Sequence, residues 1–337
     1  YGSAYDADSD GVEGKYYVWS YDELKNIAGE DFNIFEKKYD ISQKGNFEGF
    51  NILVEKENID LKIDELKKIY PIEEKLVKER KRRKKPLFDD KVQTDLNSFC
   101  LYSLLHAALI LEDKELKQDT LKKVEILNSR ISKKIYHCFE TDEVSVFLED
   151  YVYYSLLQIS LYEINNCEEN LIISKNIANQ IWDLFFNEKT KLLQKNEINK
   201  NDLFANPIDL NDNNIPNGNS TYLNICNKLH IITNDPIWQN RVEILKKSYN
   251  EILNSNFSQM FSFIKTLDML EESISINFSG NLVNNEELKK ILHQEYFGKG
   301  TFFYNKNEKS DFVIICKNKT CSDKLKNIED IKRYIKN

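Results

Sequence analysis

The sequence predicts a mainly α chain built from antiparallel helical hairpins and finished by a small α/β element. Seven amphipathic stretches, at about 95–112, 114–138, 149–165, 168–187, 219–233, 235–255 and 257–272, repeat an apolar period near 3.6 over short links. Consecutive long helices on short links pack as antiparallel hairpins, the unit shared by bundles, solenoids and α/α toroids. Beyond residue 273 the period changes. There "SISINF" and "DFVIICK" read as strands, while "NEELKKILHQEY" and "NIEDIKRYIKN" keep a helical pattern.

Taken in order, the chain opens on "YGSAYDADSDGVEGKYYVWS". Asp6, Asp8, Asp10 and Gly11 copy the first half of an EF-hand loop, but Tyr17 stands where a bidentate Glu is needed, so an EF-hand is excluded. Another calcium turn, a solvated acidic turn and the rim of a site remain open. The run that follows, Tyr16 to Trp19, reads as a strand. Ser20 with Glu23 forms a capping box for a first short helix, and "DFNIFEKKYD" forms a second. After the Gly-punctuated "ISQKGNFEGFNIL", residues 60 to about 85 read as helix, broken at Pro71 and stopped before Pro86. Its basic end, Lys78 to Lys85, reads as a solvated helix terminus, with an anion-binding patch as the alternative.

Composition sets the class. The chain has 337 residues, 41% hydrophobic and 12% aromatic, enough for a large core. A net charge of −8 argues against nucleic acid as a partner, because phosphate binding needs a basic face. No apolar run is read as a membrane span and no secretory segment is recognised, so a soluble protein without a membrane partner is expected. Six cysteines lack metal-binding spacing, which fits a reducing cytoplasm. Cys316 and Cys321 are read as unpaired small residues, with a redox pair as the alternative. No cofactor or metal is assigned.

If helix direction alternates, the starts near Asp95, Glu149 and Asn219 share one rim, and each carries polar residues beyond a simple cap. These are Asp89, Asp90, Asp95 and Asn97, then Glu149, Asp150 and Tyr151, then Asn217, Gly218, Asn219 and Ser220. The four histidines, His106, His137, His230 and His293, fall inside or late in helices and are expected away from this rim, as packing or surface residues.

Six motifs then carry a resemblance that covers the whole chain: "YDADSDGVEGKYYVW", "GNFEGFNI", "RRKKPLFDDKVQTD", "FLEDYV", "PNGNS" and "CKNKTC". In order and spacing they resemble the YyaL-like, spermatogenesis-associated, thioredoxin-domain-containing proteins. The resemblance implies an (α/α)6 barrel similar to N-acylglucosamine 2-epimerases and six-hairpin glycosidases, incomplete over 1–272, with the α/β element at 273–337. It also implies that a thioredoxin-like domain and the first hairpins lie upstream of Tyr1. The chain departs from the family at Leu96-Asn97-Ser98, where relatives show Trp-Asn-Gly, and at Ser322-Asp323, where they show Pro. In such a barrel Asp150 is the expected general acid or base and Asp95 its partner, with Glu149 and Asn97 holding hydroxyls. Asp6, Asp8, Asp89, Asp90, Tyr151, Asn219 and Ser220 complete the expected binding set for a small carbohydrate-like ligand. The alternative is a non-catalytic barrel that binds carbohydrate or protein as the partner of a redox domain.

Overall fold

The computed structural model describes residues 1–131, 134–139, 146–198, 206–296, 298–305, 308, 310–318 and 320–336. They form two compact units, Tyr1–Lys91 and Val92–Asn337.

In the first unit, β1 (Ala4–Tyr5), the hairpin of β2 (Asp8–Ser9) and β3 (Val12–Glu13), helices α1 (Tyr21–Ala28), α2 (Phe32–Lys38) and α3 (Ile63–Arg82), and β4 (Phe88–Asp89) follow in order. β1 pairs antiparallel with β4, Ala4 opposite Asp89. The core is Trp19, Leu24, Phe32, Phe35, Ile69, Ile72 and Leu76. Ser20 caps α1 reciprocally, accepting from Glu23 N at 3.1 Å while Glu23 Oε2 accepts from Ser20 N at 3.1 Å.

Three expectations are corrected here. Tyr16 to Trp19 is a turn and not a strand: Gly14, at φ +70°, reverses the chain, and its carbonyl accepts from Tyr17 N at 2.7 Å and Val18 N at 3.1 Å. Only Trp19 pairs, with Asn51. α3 runs unbroken through Pro71. An interior proline costs about 3 kcal/mol, whereas Ile69, Ile72 and Leu76, buried on both sides of it, each contribute roughly 1.5–3 kcal/mol. Arg83, in the basic run, is part of the fold. Its guanidinium lies 4.0 Å from the centre of the Trp19 ring and donates to the carbonyls of Lys15, Tyr16 and Val18.

The second unit begins with helical hairpins: α4 (Thr94–Leu111) with α5 (Lys114–Ile131), α6 (Leu148–Asn165) with α7 (Glu168–Phe185), and α8 (Gly218–Thr233) with α9 (Pro236–Asn256), followed by α10 (Phe261–Glu271). Between α7 and α8 lies the small hairpin of β5 (Phe186–Asn187) and β6 (Leu192–Leu193). α4 packs on α6, α6 on α8 and α8 on α10, while α5, α7 and α9 each back their own hairpin partner. This gives the inner and outer layers of an α/α toroid, built here as an arc. α6 is its centre, and every residue from Asp150 to Ile164 is buried. Contrary to the reading of the sequence, α4 is long and apolar enough to cross a membrane by length and composition; here it packs on α5, α6 and α11 (Glu286–Glu295).

The C-terminal element is a four-stranded sheet in the order β10-β9-β7-β8, from β7 (Ile274–Ser279), β8 (Gly300–Asn305), β9 (Phe312–Lys317) and β10 (Thr320–Cys321), with a terminal helix α12 (Ile328–Lys336). β7 and β8 are parallel, joined through α11, and β8 has no counterpart among the strands expected from the sequence. Cys316 and Cys321 face each other across the β9–β10 hairpin and form a disulfide, which corrects their reading as unpaired residues.

Candidate active site

The inner helices present polar residues inward at helical spacing. Asp95, Phe99, Tyr102 and His106 on α4, and Glu149, Tyr153, Leu156, Ser160 and Glu163 on α6, recur three or four residues apart and share one face each. The helices run in the same direction. Asp95 N donates to Asp150 Oδ1 at one end, and His106 Nε2 meets Ser160 Oγ at 2.7 Å towards the other. Likewise Tyr153 OH donates to the Pro216 carbonyl just before α8, and Lys228 Nζ meets Glu163 Oε1 at 2.7 Å farther along it. The N-termini of α4, α6 and α8 therefore meet at one end of the arc.

A pocket of about 280 Å³ lies among these N-termini, lined by Asp95, His137, Glu149, Tyr153, Lys195 and Asp209 with neighbouring backbone and asparagines. Asp150 sits beneath it with 0% exposure. One carboxylate oxygen accepts from Phe147 N at 2.8 Å, and the other accepts from Asp95 N at 3.2 Å and faces His137 Nδ1 at 3.0 Å. The first contact closes the N-terminus of α6 as a capping carboxylate does. His137 is tied on its far side to Gln93, at 3.2 Å from Nε2, so Nδ1 carries its proton toward Asp150 in either charge state.

Burial and mutual repulsion set the acidities. Asp95 is held above the usual carboxylate range, first by desolvation and then by Asp150. Glu149 is raised for the same leading reason, with Lys195 opposing and Asp95 and Asp150 adding to the rise. The hydrogen bond to Asp150 raises His137, against desolvation. Glu149 Oε2 is buried without a partner. A Cβ at Gly218 would stand 3.1 Å from Glu149 Oε1, so glycine there lets the carboxyl lie against the start of α8. Among the described residues, Asp95, His137 and Asp150 form the group able to hold a metal ion, their ligand atoms lying within 4.8 Å of one another. A cation there would displace the proton between His137 and Asp150.

Asp95 and Glu149 face the pocket, but the remaining predicted residues are placed differently. Asp150, expected as the general acid or base, lies fully buried with both oxygens engaged, and meets the pocket lining at His137. Tyr151 is core, 5.4 Å from Phe185 ring to ring. Asn97 is buried and donates to the Gln93 carbonyl. Asn219 is fully buried and clamps Leu193, accepting from its N and donating to its O, both at 2.8 Å. Ser220 meets Ser262 below the pocket. Asp6, Asp8 and Asp90 are exposed residues of the first unit, and Asp89, half-buried there, accepts from Lys91 N. His137, expected away from the rim, lines the pocket there beside Asp95 and Asp150; no spacing in the sequence links it to Asp95.

No family model matches the chain, and no curated protein does. Among solved structures it is similar to the GH76A alpha-1,6-mannanase from Salegentibacter sp. HEL1_6, at 13% identity over 81% of this chain and 86% of that one, with a TM-score of 0.41. It is similar also to an inactive variant of that enzyme in complex with alpha-1,6-mannotriose, at 16% identity over 67% and 70% of the two chains, with a TM-score of 0.40. A further inactive variant, in complex with alpha-1,6-mannotetrose, gives 14% identity over 69% and 70%, with a TM-score of 0.41. The α/α-hairpin architecture described above stands on the packing of this chain's own helices.

Proposed function

We propose that the pocket at the helix N-termini carries out acid–base chemistry on a hydroxyl-rich, carbohydrate-like ligand. The observation that supports this most is a pair of carboxyl groups, Asp95 and Glu149, lining one pocket that holds both above the usual carboxylate range. In such a pair one group stays protonated as the acid while the other ionises as the base. Asp150 and His137 form the positioning pair, fixing the Asp95 backbone and offering a proton-holding imidazole beside it. Lys195, Asn211 and Asn213 supply hydrogen-bonding groups for hydroxyls. The family resemblance is part of the same proposal: a later portion of a YyaL-like, thioredoxin-domain-containing protein acting in the cytoplasm.

A second reading, a carbohydrate-binding barrel without turnover, is favoured by one observation. The carboxylate expected to react, Asp150, has both oxygens engaged inside the protein. The test follows a panel of mono- and oligosaccharides by NMR, scoring binding, proton exchange from deuterated solvent and hydrolysis. Turnover that falls about 10²-fold in Asp95→Asn and Glu149→Gln while binding persists supports acid–base chemistry. Binding without turnover supports the second reading, and absence of any saccharide binding by the native chain sinks both.

A further inference from the structure

Below the N-terminal pocket, past Phe99, Tyr153 and Pro216, the inner helices enclose a second chamber of about 170 Å³. We propose that this chamber binds a small hydroxylated monocarboxylate of three or four carbons, of the size and pattern of glycerate.

Size comes first. A cavity of roughly 150 Å³ holds a benzene molecule, so about six to eight non-hydrogen atoms fill this chamber.

Charge comes second. Glu163 and Lys228 both line the chamber, but they are buried and spent on each other at 2.7 Å, with Glu163 Oε1 also accepting from Phe302 N at 3.1 Å. His106 and His293 are neutral, each pushed down to about 3 by burial and by nearby lysine. Lys265 remains. It is exposed, lines the chamber, and among the described residues has no carboxylate partner. Gly298 leaves its ammonium room, since a Cβ there would stand 3.3 Å from Nζ. The chamber thus offers one unneutralised cation at its solvent side, which selects a monoanion.

Hydrogen-bonding pattern comes third. Two atoms that line the chamber are buried without partners, His293 Nε2 and Asn224 Oδ1. His293 is 5% exposed and is stacked at 3.9 Å on Phe302. A hydroxyl both donates and accepts, so it satisfies Nε2 of a neutral imidazole in either tautomer, and it donates to the Asn224 oxygen. Leaving these buried polar atoms without a partner is unfavourable. A ligand with two hydroxyl donors satisfies them, and its carbon skeleton lies against Phe99, Tyr102 and Phe302. A carboxylate for Lys265 and two hydroxyls for His293 and Asn224 describe a dihydroxy acid.

The test is calorimetric titration of the full chain with sodium glycerate, glycerol and sodium propionate at matched ionic strength. Glycerate should bind saturably, with a dissociation constant on the order of 1 mM or below, and about fivefold or more tighter than glycerol, which lacks the charge, or propionate, which lacks the hydroxyls. Lys265→Gln, at an exposed position, should bring glycerate to the level of glycerol without altering the melting temperature. His293→Phe should remove the preference over propionate; if that variant fails to fold, the Lys265→Gln comparison stands alone. The proposal is overturned if glycerate shows no saturable heat, if glycerol binds as tightly, or if Lys265→Gln leaves glycerate affinity unchanged.

Discussion

The two units each gather acids, and the acids behave in opposite ways. In the first unit Asp6, Asp8, Asp10 and Glu13 surround a two-residue hairpin whose Asp10 and Gly11 both adopt positive φ, as the favoured turns of short hairpins do. All four are exposed. Asp10 is paired with Lys15 at 3.0 Å and Lys84 at 3.1 Å, and its carboxyl is held below the usual range by those lysines. In the second unit Asp95 and Glu149 are desolvated and raised, and Asp150 is sealed from water. The residue type is the same, and water access decides its chemistry. The solvated, lysine-paired Asp10 holds its proton less tightly than usual, whereas the desolvated Asp95 and Glu149 hold theirs more tightly.

That contrast can be broken by substitution. Asp150→Ala removes the acceptor for Phe147 N, Asp95 N and His137 at once, and the expected cost is about 3–5 kcal/mol, read from the urea midpoint of the full chain. Asp10→Asn in the same assay, which keeps a residue type that tolerates the positive φ, should move the midpoint far less. Equal effects would show that burial does not separate the two acid groups.

A smaller effect is expected at the glycines. A Cβ on Gly218 would meet Leu148 Cδ2 at 2.8 Å and Glu149 Oε1 at 3.1 Å, so Gly218→Ala should cost about 1–3 kcal/mol and disturb the Glu149 titration. Gly11 has open space around it, and its φ of +73° leaves Gly11→Ala with a strain of roughly 1 kcal/mol or somewhat more. A Glu149 titration identical in Gly218→Ala and native protein would remove the glycine from the site.

The smallest and most diagnostic effect is in pH dependence. Asp95 and Glu149 are raised in the folded state, so the native chain binds more protons than the unfolded one. Their contribution to stability is full below the unfolded values, 3.8 and 4.5, and declines as pH rises through the folded values. His137, also raised, adds stability below 6.5 that is lost as pH climbs through its own folded value. Asp10 has the opposite sign, its contribution present above 3.8 and lost on acidification. Asp95→Asn should lose the part of the decline that begins above 3.8, and His137→Gln the part that begins above 6.5, whereas Asp10→Asn should alter only the limb below 3.8. A decline with rising pH that is unchanged in both site variants would place the titrating groups elsewhere.

Much of the helical array was legible because a 3.6 period and short links leave few alternatives. α4, α6 and α8 begin within a residue of where their apolar patterns do, and the Ser20–Glu23 box fixes α1. What escaped the sequence depends on contacts made through space. Pro71 argues locally for a break, and only the burial of Ile69, Ile72 and Leu76 against α1 and α2 overrides it. Cys316 and Cys321 become partners through the register of a hairpin that composition does not reveal. His137 joins Asp150 from an irregular segment, and α6 gives no hint of it. The clearest signal left unread was the inward stripe of α4 and α6: His106, Ser160 and Glu163 continue the face that Asp95 and Glu149 begin, and polar residues on a buried face at helical spacing mark a lined cavity.

The buried pair of Glu163 and Lys228 has a further consequence for how the molecule opens. Glu163 accepts from Phe302 N and, through its carbonyl, from Tyr304 OH, while Lys228 reaches the Gly300 carbonyl at 3.5 Å. The strand that the sequence did not announce is thus the stopper of the helical vessel. Pulling β8 away would take the Phe302 N–H from the carboxylate and the Gly300 carbonyl from the ammonium in one movement, and would expose their pair to water. Opening of the sheet is thereby coupled to solvation of a buried ion pair in the arc, so a segment that reads as an afterthought of the chain guards part of the helical interior from water.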